Sequence, residues 1–163
     1  MNPLQVVERF FREVWNERRF TVLDEIVHPA CVTHQLRSAP GPITSALRGP
    51  AALREHIEGW LAAFPDITVT VDLRCVEGSH VVSWATMRGR HGGTWQGVPP
   101  TGREITIRTV AQHRVEGGQI VEDWVIVESL GLFQQLGLVR PTPELLAQRG
   151  EAVTLTHISD VVR

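Results

Sequence analysis

Apolar residues recur every three or four positions at the start of the chain. Leu4, Val7, Phe11, Val14 and Trp15 fall on one side, with Glu8, Arg12 and Arg18 opposite, which predicts an amphipathic helix over about residues 3–18. A second, short helix is predicted near Thr21 to Val27, stopped by Pro29, with a brief strand over Cys31 to Gln35. Ser38 to Pro50 reads as a loop because Pro40, Gly41, Pro42, Gly49 and Pro50 punctuate it. Pro50 suits the first turn of a third helix running to Phe64, with Leu53, Ile57, Trp60, Leu61 and Phe64 on one face. From Asp66 the period falls to two. Ile67, Val69, Val71 and Leu73 alternate with polar partners, and Glu77-Gly78-Ser79 turns the chain into His80 to Arg90. The Gly97 to Gly102 loop leads to a strand over about 103–115. Gly117-Gly118 marks a tight turn, and a last strand runs from Gln119 to about Val127.

Helices followed by an antiparallel meander predict one α+β domain over residues 1–139. Residues 140–163 read as a C-terminal extension, with Pro141, Pro143, a short helix at Glu144 to Gln148 and a β-rich end. The extension is expected to pack on the body or on a neighbour. No apolar run approaches the ~20 residues that a membrane-spanning helix needs. The amphipathic, acid-bearing N-terminus reads as neither signal nor transit peptide, so the expected location is cytoplasmic.

Composition narrows the chemistry. All sixteen basic residues are arginine and there is no tyrosine, which excludes Schiff-base chemistry on lysine and a tyrosine acid or base. A net charge of −2 with no basic block argues against nucleic acid. Cys31 and Cys75 have no zinc-type or disulfide-framework spacing and read as free thiols. His28, His56, His80 and His157 show no metal spacing either. The glycines at 89, 92, 93 and 97 precede no helix, so they are not a phosphate loop.

Four segments in order carry a resemblance: Phe64-Pro65-Asp66, then Gly97-Val98-Pro99-Pro100-Thr101-Gly102, then Glu116-Gly117-Gly118-Gln119-Ile120-Val121-Glu122-Asp123-Trp124, then Leu130-Gly131-Leu132-Phe133-Gln134-Gln135-Leu136-Gly137. Together the set resembles the SnoaL-like polyketide cyclases, or ester cyclases, of the nuclear-transport-factor-2-like fold. The resemblance implies a cone-shaped barrel in which a curved antiparallel sheet, closed by three N-terminal helices, surrounds an apolar cavity. It also implies dimers or tetramers built through the sheet. Members of that family close the last ring of anthracycline-type polyketides by an intramolecular aldol reaction, without cofactor. A strand carboxylate removes a carbon-bound proton and a neighbouring histidine assists at the carbonyl oxygen. Counting from Gln135-Leu136-Gly137, the family's aspartate position falls on Val125 and its histidine position on Ala111, neither of which moves a proton.

Strand parity supplies a replacement. Val121, Asp123, Val125 and Val127 share one face of the last strand, while Ile107, Thr109, Ala111 and His113 share one face of the strand before it. If Ala111 pairs with Val125, His113 pairs with Asp123, moving the acid–histidine pair by two residues, about 7 Å. The alternative is an ordinary cross-strand pair near the turn, and a one-residue slip would join His113 to Glu122 instead. Further candidate catalytic residues are Glu128, His34 and His91. A helix-start charge and hydrogen-bonded structural histidines are the respective alternatives. Trp60, Phe64, Met87 and Trp95, with Val125 and Ala111, are candidate substrate-lining residues, the alternative being core packing.

The expectation is a cofactor-free, metal-free acid–base enzyme. It would close a ring in, or isomerise, an apolar polyketide-like or terpenoid substrate, as a homodimer or homotetramer. Hydrolysis, dehydration and cofactor-free oxygenation fit the same fold, as does a non-catalytic binding protein.

Overall fold

The structure, a computed structural model, describes residues 1–35 and 47–150. The chain opens with α1 (Pro3–Arg9), capped by the Asn2 side chain and the Gln5 amide in a reciprocal box. A π-helical segment, Phe10–Asn16, continues it without a break. Apolar spacing predicts a uniform helix here. The observed bonds widen to i→i+5, such as Glu17 N–H to the Arg12 carbonyl at 3.0 Å, with Phe10, Phe11 and Trp15 buried along the segment. A 3₁₀ turn (Phe20–Val22) and α2 (Leu23–Ile26) follow.

Strand β1 (Val27–Gln35) begins four residues before the predicted strand and runs through Pro29. A register shift against its neighbour between Val27 and Val32 accommodates the proline, whose missing N–H could not serve a regular ladder. The short β2 (Leu47–Arg48) precedes α3 (Gly49–Ala63). The meander is β3 (Thr68–Glu77), β4 (His80–Arg90), β5 (Glu104–Glu116) and β6 (Gln119–Val127). Two helices close the described chain, α4 (Ser129–Leu136) and α5 (Thr142–Gly150). The predicted β-rich end and most of the Ser38–Pro50 loop lie outside the described residues.

The fold is α+β, with the expected curved sheet and N-terminal helices. One feature of the expected sheet is corrected. It is mixed rather than antiparallel, because β1 lies parallel to β6. Among the described residues its order is β2-β1-β6-β5-β4-β3, with β2 and β3 at the two edges, so the helices rather than strand pairing close the cone. Parity then sorts the meander. Val81, Ser83, Ala85 and Met87 are buried on the inner face, while Leu73, Trp84, Val110 and Ile126 form an apolar row in direct register across the outer face.

Helix α4 is tied to the sheet by Gln135. Its side chain accepts from the Thr106 N–H at 2.7 Å and donates to the Thr106 carbonyl at 2.9 Å, giving β5 a substitute ladder partner. At the other side of the molecule the carboxylate of Glu13, only 4% exposed, faces Arg9, Arg12 and Arg19 at 2.7–3.0 Å. Those guanidinium groups, Arg9 above all, lower its pKa from 4.5 to about 2. A carboxyl with a lowered folded-state pKa stabilises above its unfolded pKa and loses that contribution as pH falls through the folded one. Wild type is therefore expected to lose thermal stability between about pH 5 and pH 2 more steeply than Glu13→Gln. Melting curves of the two proteins across that window check this.

Candidate functional site

The concave side of the sheet and the N-terminal helices enclose one apolar pocket. Phe10, Phe11 and Trp15 line it from the first helix, Leu53, His56 and Trp60 from α3, and Val69 and Met87 from β3 and β4. Strands β5 and β6 complete it with Thr109, Ala111, His113, Asp123, Val125 and Val127. The enclosed space is about 40 Å³, room for a few water molecules. Half-buried His56, Val125 and Val127 stand towards its mouth, and the fully buried side chains of His113 and Asp123 form its floor.

The β5–β6 register is the one expected from parity, with Ala111 opposite Val125 and His113 opposite Asp123. His113 Nε2 lies 3.5 Å from Asp123 Oδ1. His113 is 0% and Asp123 2% exposed. Phe10 and Phe11 meet the imidazole edge-on, with ring centroids 5.2 and 5.8 Å away. Burial raises the Asp123 pKa from 3.8 to about 7 and lowers that of His113 from 6.5 to about 4. The separation alone suggests an ion pair, but both shifts favour the uncharged forms and no hydrogen bond joins the two groups. The pair is therefore best described as a neutral imidazole beside a carboxyl group poised to exchange a proton near neutrality.

The other candidates disperse. His34 sits on the face of the sheet opposite the pocket. Its Nε2 is 2.9 Å from Glu122, and its ring stacks on Trp124 with centroids 4.8 Å apart. Because β1 pairs in parallel with β6, Thr33 rather than His34 faces inward. His91 is buried outside the pocket. Its Nδ1 accepts from the Thr101 N–H at 3.2 Å and lies 3.1 Å from the Thr101 hydroxyl, pinning the Pro-Pro-Thr-Gly loop against β4. Glu128 is exposed at the start of α4, where its carboxylate accepts from the Arg108 N–H at 3.1 Å. Of the predicted lining residues, Trp60, Met87, Ala111 and Val125 line the pocket. Phe64 and Trp95 do not: Phe64 packs behind Trp60 and against His91, and Trp95 bridges Trp60 and Phe133.

Sequence reasoning missed His56, whose pKa burial lowers from 6.5 to about 4. It stands three residues after Leu53 and four before Trp60. A polar residue on that apolar stripe was the available signal. Phe10 was missed although it stands three residues after Val7 and four before Val14, the helical spacing that was the available signal. Among the described residues no group of three or more His, Cys, Asp and Glu side chains could hold a metal ion. Nor is any described helix long and apolar enough to cross a membrane.

A family model described as SnoaL-like polyketide cyclase matches residues 5–136. The aklanonic acid methyl ester cyclase DauD of Streptomyces sp. (strain C5) is 29% identical over 126 residues, covering 76% of this chain and 71% of DauD. The corresponding cyclase DnrD of Streptomyces peucetius is 33% identical over 101 residues, or 60% of this chain and 68% of DnrD. The crystal structure of wild-type IdmH from Streptomyces antibioticus superposes with a TM-score of 0.72 at 29% identity, covering 84% of this chain and 99% of IdmH.

Proposed function

Starting from the family to which this chain belongs, the SnoaL-like polyketide cyclases, we propose that it closes a ring in a polyketide-like substrate by an aldol-type reaction, with Asp123 as the base. The observation that carries this reading is the buried Asp123–His113 pair on the floor of an apolar pocket. In its carboxylate form Asp123 takes a proton from a carbon flanked by carbonyl groups. The resulting enolate carbon attacks a second carbonyl of the same molecule, forming the carbon–carbon bond. The new alkoxide then recovers the proton that Asp123 took. Product and substrate are isomers, so the step consumes no co-reactant. A base whose pKa lies near the working pH suits both transfers. Neutral His113 offers one N–H, which supports the developing oxygen charge or the carboxylate itself.

The enclosed space is too small for a multi-ring molecule, so only a slender reactive head reaches the floor while the rest of the substrate stays against Trp15, His56 and Trp60. Aklanonic acid methyl ester, which DauD and DnrD are named for, is the probe to use first. Conversion to an isomer of identical mass by wild type, and its loss in Asp123→Asn, supports the proposal.

A second reading, a binding protein, is favoured by the apolar Val125 and Ala111 two residues along the strands from the pair. A binder gives no turnover, keeps its affinity in Asp123→Asn and loses it in Trp60→Ala. For assembly, we propose a second copy seated on the row of Leu73, Trp84, Val110 and Ile126. Three of these are large apolar side chains exposed by 44–62%. A straight row across four strands meets itself under a two-fold axis. Trp84→Glu is then expected to halve the native mass.

A further inference from the structure

On β1, Thr33 faces the interior and is the register partner of Asp123, as His113 is from β5. Three hydrogen-bonding side chains thus stand in one row across three neighbouring strands. They are 6%, 2% and 0% exposed. Among the described residues, Thr33 Oγ1, Asp123 Oδ1 and both His113 nitrogens have no hydrogen-bond partner. Buried polar groups almost always have one, so unpartnered groups placed side by side point to a shared purpose. Asp123 and His113 line the pocket but Thr33 does not. The hydroxyl can rotate to donate, whereas an ionised carboxylate can only accept.

We infer that Thr33 is a positioning residue for Asp123, its hydroxyl donating to the carboxylate once the proton has left and steadying the charged form from the side away from the substrate. This rests on the reading of Asp123 as the base. The titratable groups around Asp123 are His113 from β5, His56 across the pocket from α3 and Cys31 on β1, two residues before Thr33. Both histidines are neutral near pH 7, and burial, with the nearby Asp123 charge, pushes the Cys31 thiol up to about 12. Phe10 and Phe11 bring only apolar surface from the first helix, while Arg114 and Glu122 pair on the outer face. The ionised carboxylate therefore has no cation beside it among the described residues and depends on neutral donors.

The test is a ¹³C NMR titration of the aspartate carboxyl carbons, with the Asp123 signal identified by its loss in Asp123→Asn. Thr33→Val is expected to raise the Asp123 midpoint by about one pH unit, and Thr33→Ser to restore it. With aklanonic acid methyl ester, the pH of half-maximal kcat moves by the same amount and KM stays put. An unchanged midpoint in Thr33→Val overturns the inference. Should that variant fail to fold, Thr33→Ala reads the same quantity. A shifted midpoint in Thr33→Val, in a protein whose Asp123→Asn variant still turns over, upholds the link from Thr33 to Asp123 and sinks the role of Asp123 as base.

Discussion

Asp123→Asn is expected to lower kcat for aklanonic acid methyl ester by about 10²–10⁴, the usual contribution of a positioned general base, while KM changes little. The amide has nearly the shape of the carboxylic acid, so the pocket keeps its walls. In wild type the rate should climb as pH rises through about 7, since only the ionised carboxyl accepts a proton. Stability should move the other way. A carboxyl whose pKa rises from 3.8 to about 7 on folding favours the native state while protonated, and costs stability increasingly as pH climbs through that window. Asparagine carries no such cost, so above pH 7 the variant should melt at or above the wild-type temperature. His113 adds a cost at the acid end: with its pKa lowered from 6.5 to about 4, stability falls as pH drops across that interval. A pair of assays, turnover and melting against pH, therefore separates a lost base from a lost fold. Undiminished turnover in a folded Asp123→Asn protein ends the proposed mechanism.

The largest stability effect is expected from Gly93→Ala. A methyl group there would lie 1.8 Å from the Ala62 carbonyl oxygen, inside any permissible contact. The obstacle is backbone at the end of α3, so no side chain can swing aside. Both the Gly92 and Gly93 N–H groups donate to the Ala63 carbonyl at 3.0 Å, and this junction seats the last turn of α3 against the end of β4. The same turn carries Trp60 over the pocket. Forcing the junction apart costs both hydrogen bonds and unseats the helix, about 3 kcal/mol or more. Chemical denaturation gives the figure directly, and a midpoint within error of wild type would refute the argument.

Much of this molecule was legible in the sequence because its strands are regular. Once Ala111 is set opposite Val125, period-two alternation carries His113 to Asp123 with no further information, and the β5–β6 hairpin has that register. Parity failed where it had no partner to anchor it. His34 is a candidate because it matches a histidine of the resembling family, but its face depends on β1 pairing with a strand some 90 residues later, past a proline irregularity. One residue's difference put Thr33 inside and His34 outside. Phe64 and Trp95 show a different limit. Apolar periodicity says that a side chain is buried, but not whether it lines a cavity or packs the layer behind it. The π-helical segment lies beyond such reading altogether, because apolar spacing does not distinguish i→i+5 from i→i+4 bonding.

The pairing of β1 with β6 also bears on when the pocket can exist at all. The floor joins Thr33 to Asp123 and Phe10 to His113, contacts that span most of the domain. Local hairpins such as β5–β6 close quickly, whereas contacts across such sequence separations come late because the entropy of closing the loop precedes any return. During synthesis the N-terminal helix and β1 leave the ribosome long before their partners. Until β6 arrives, an apolar helix face and an open strand edge wait uncovered. The pocket floor is therefore among the last parts of the native structure to form, and a chain halted before β6 would have helices and a partial meander but no acid, no floor and an exposed edge prone to aggregation.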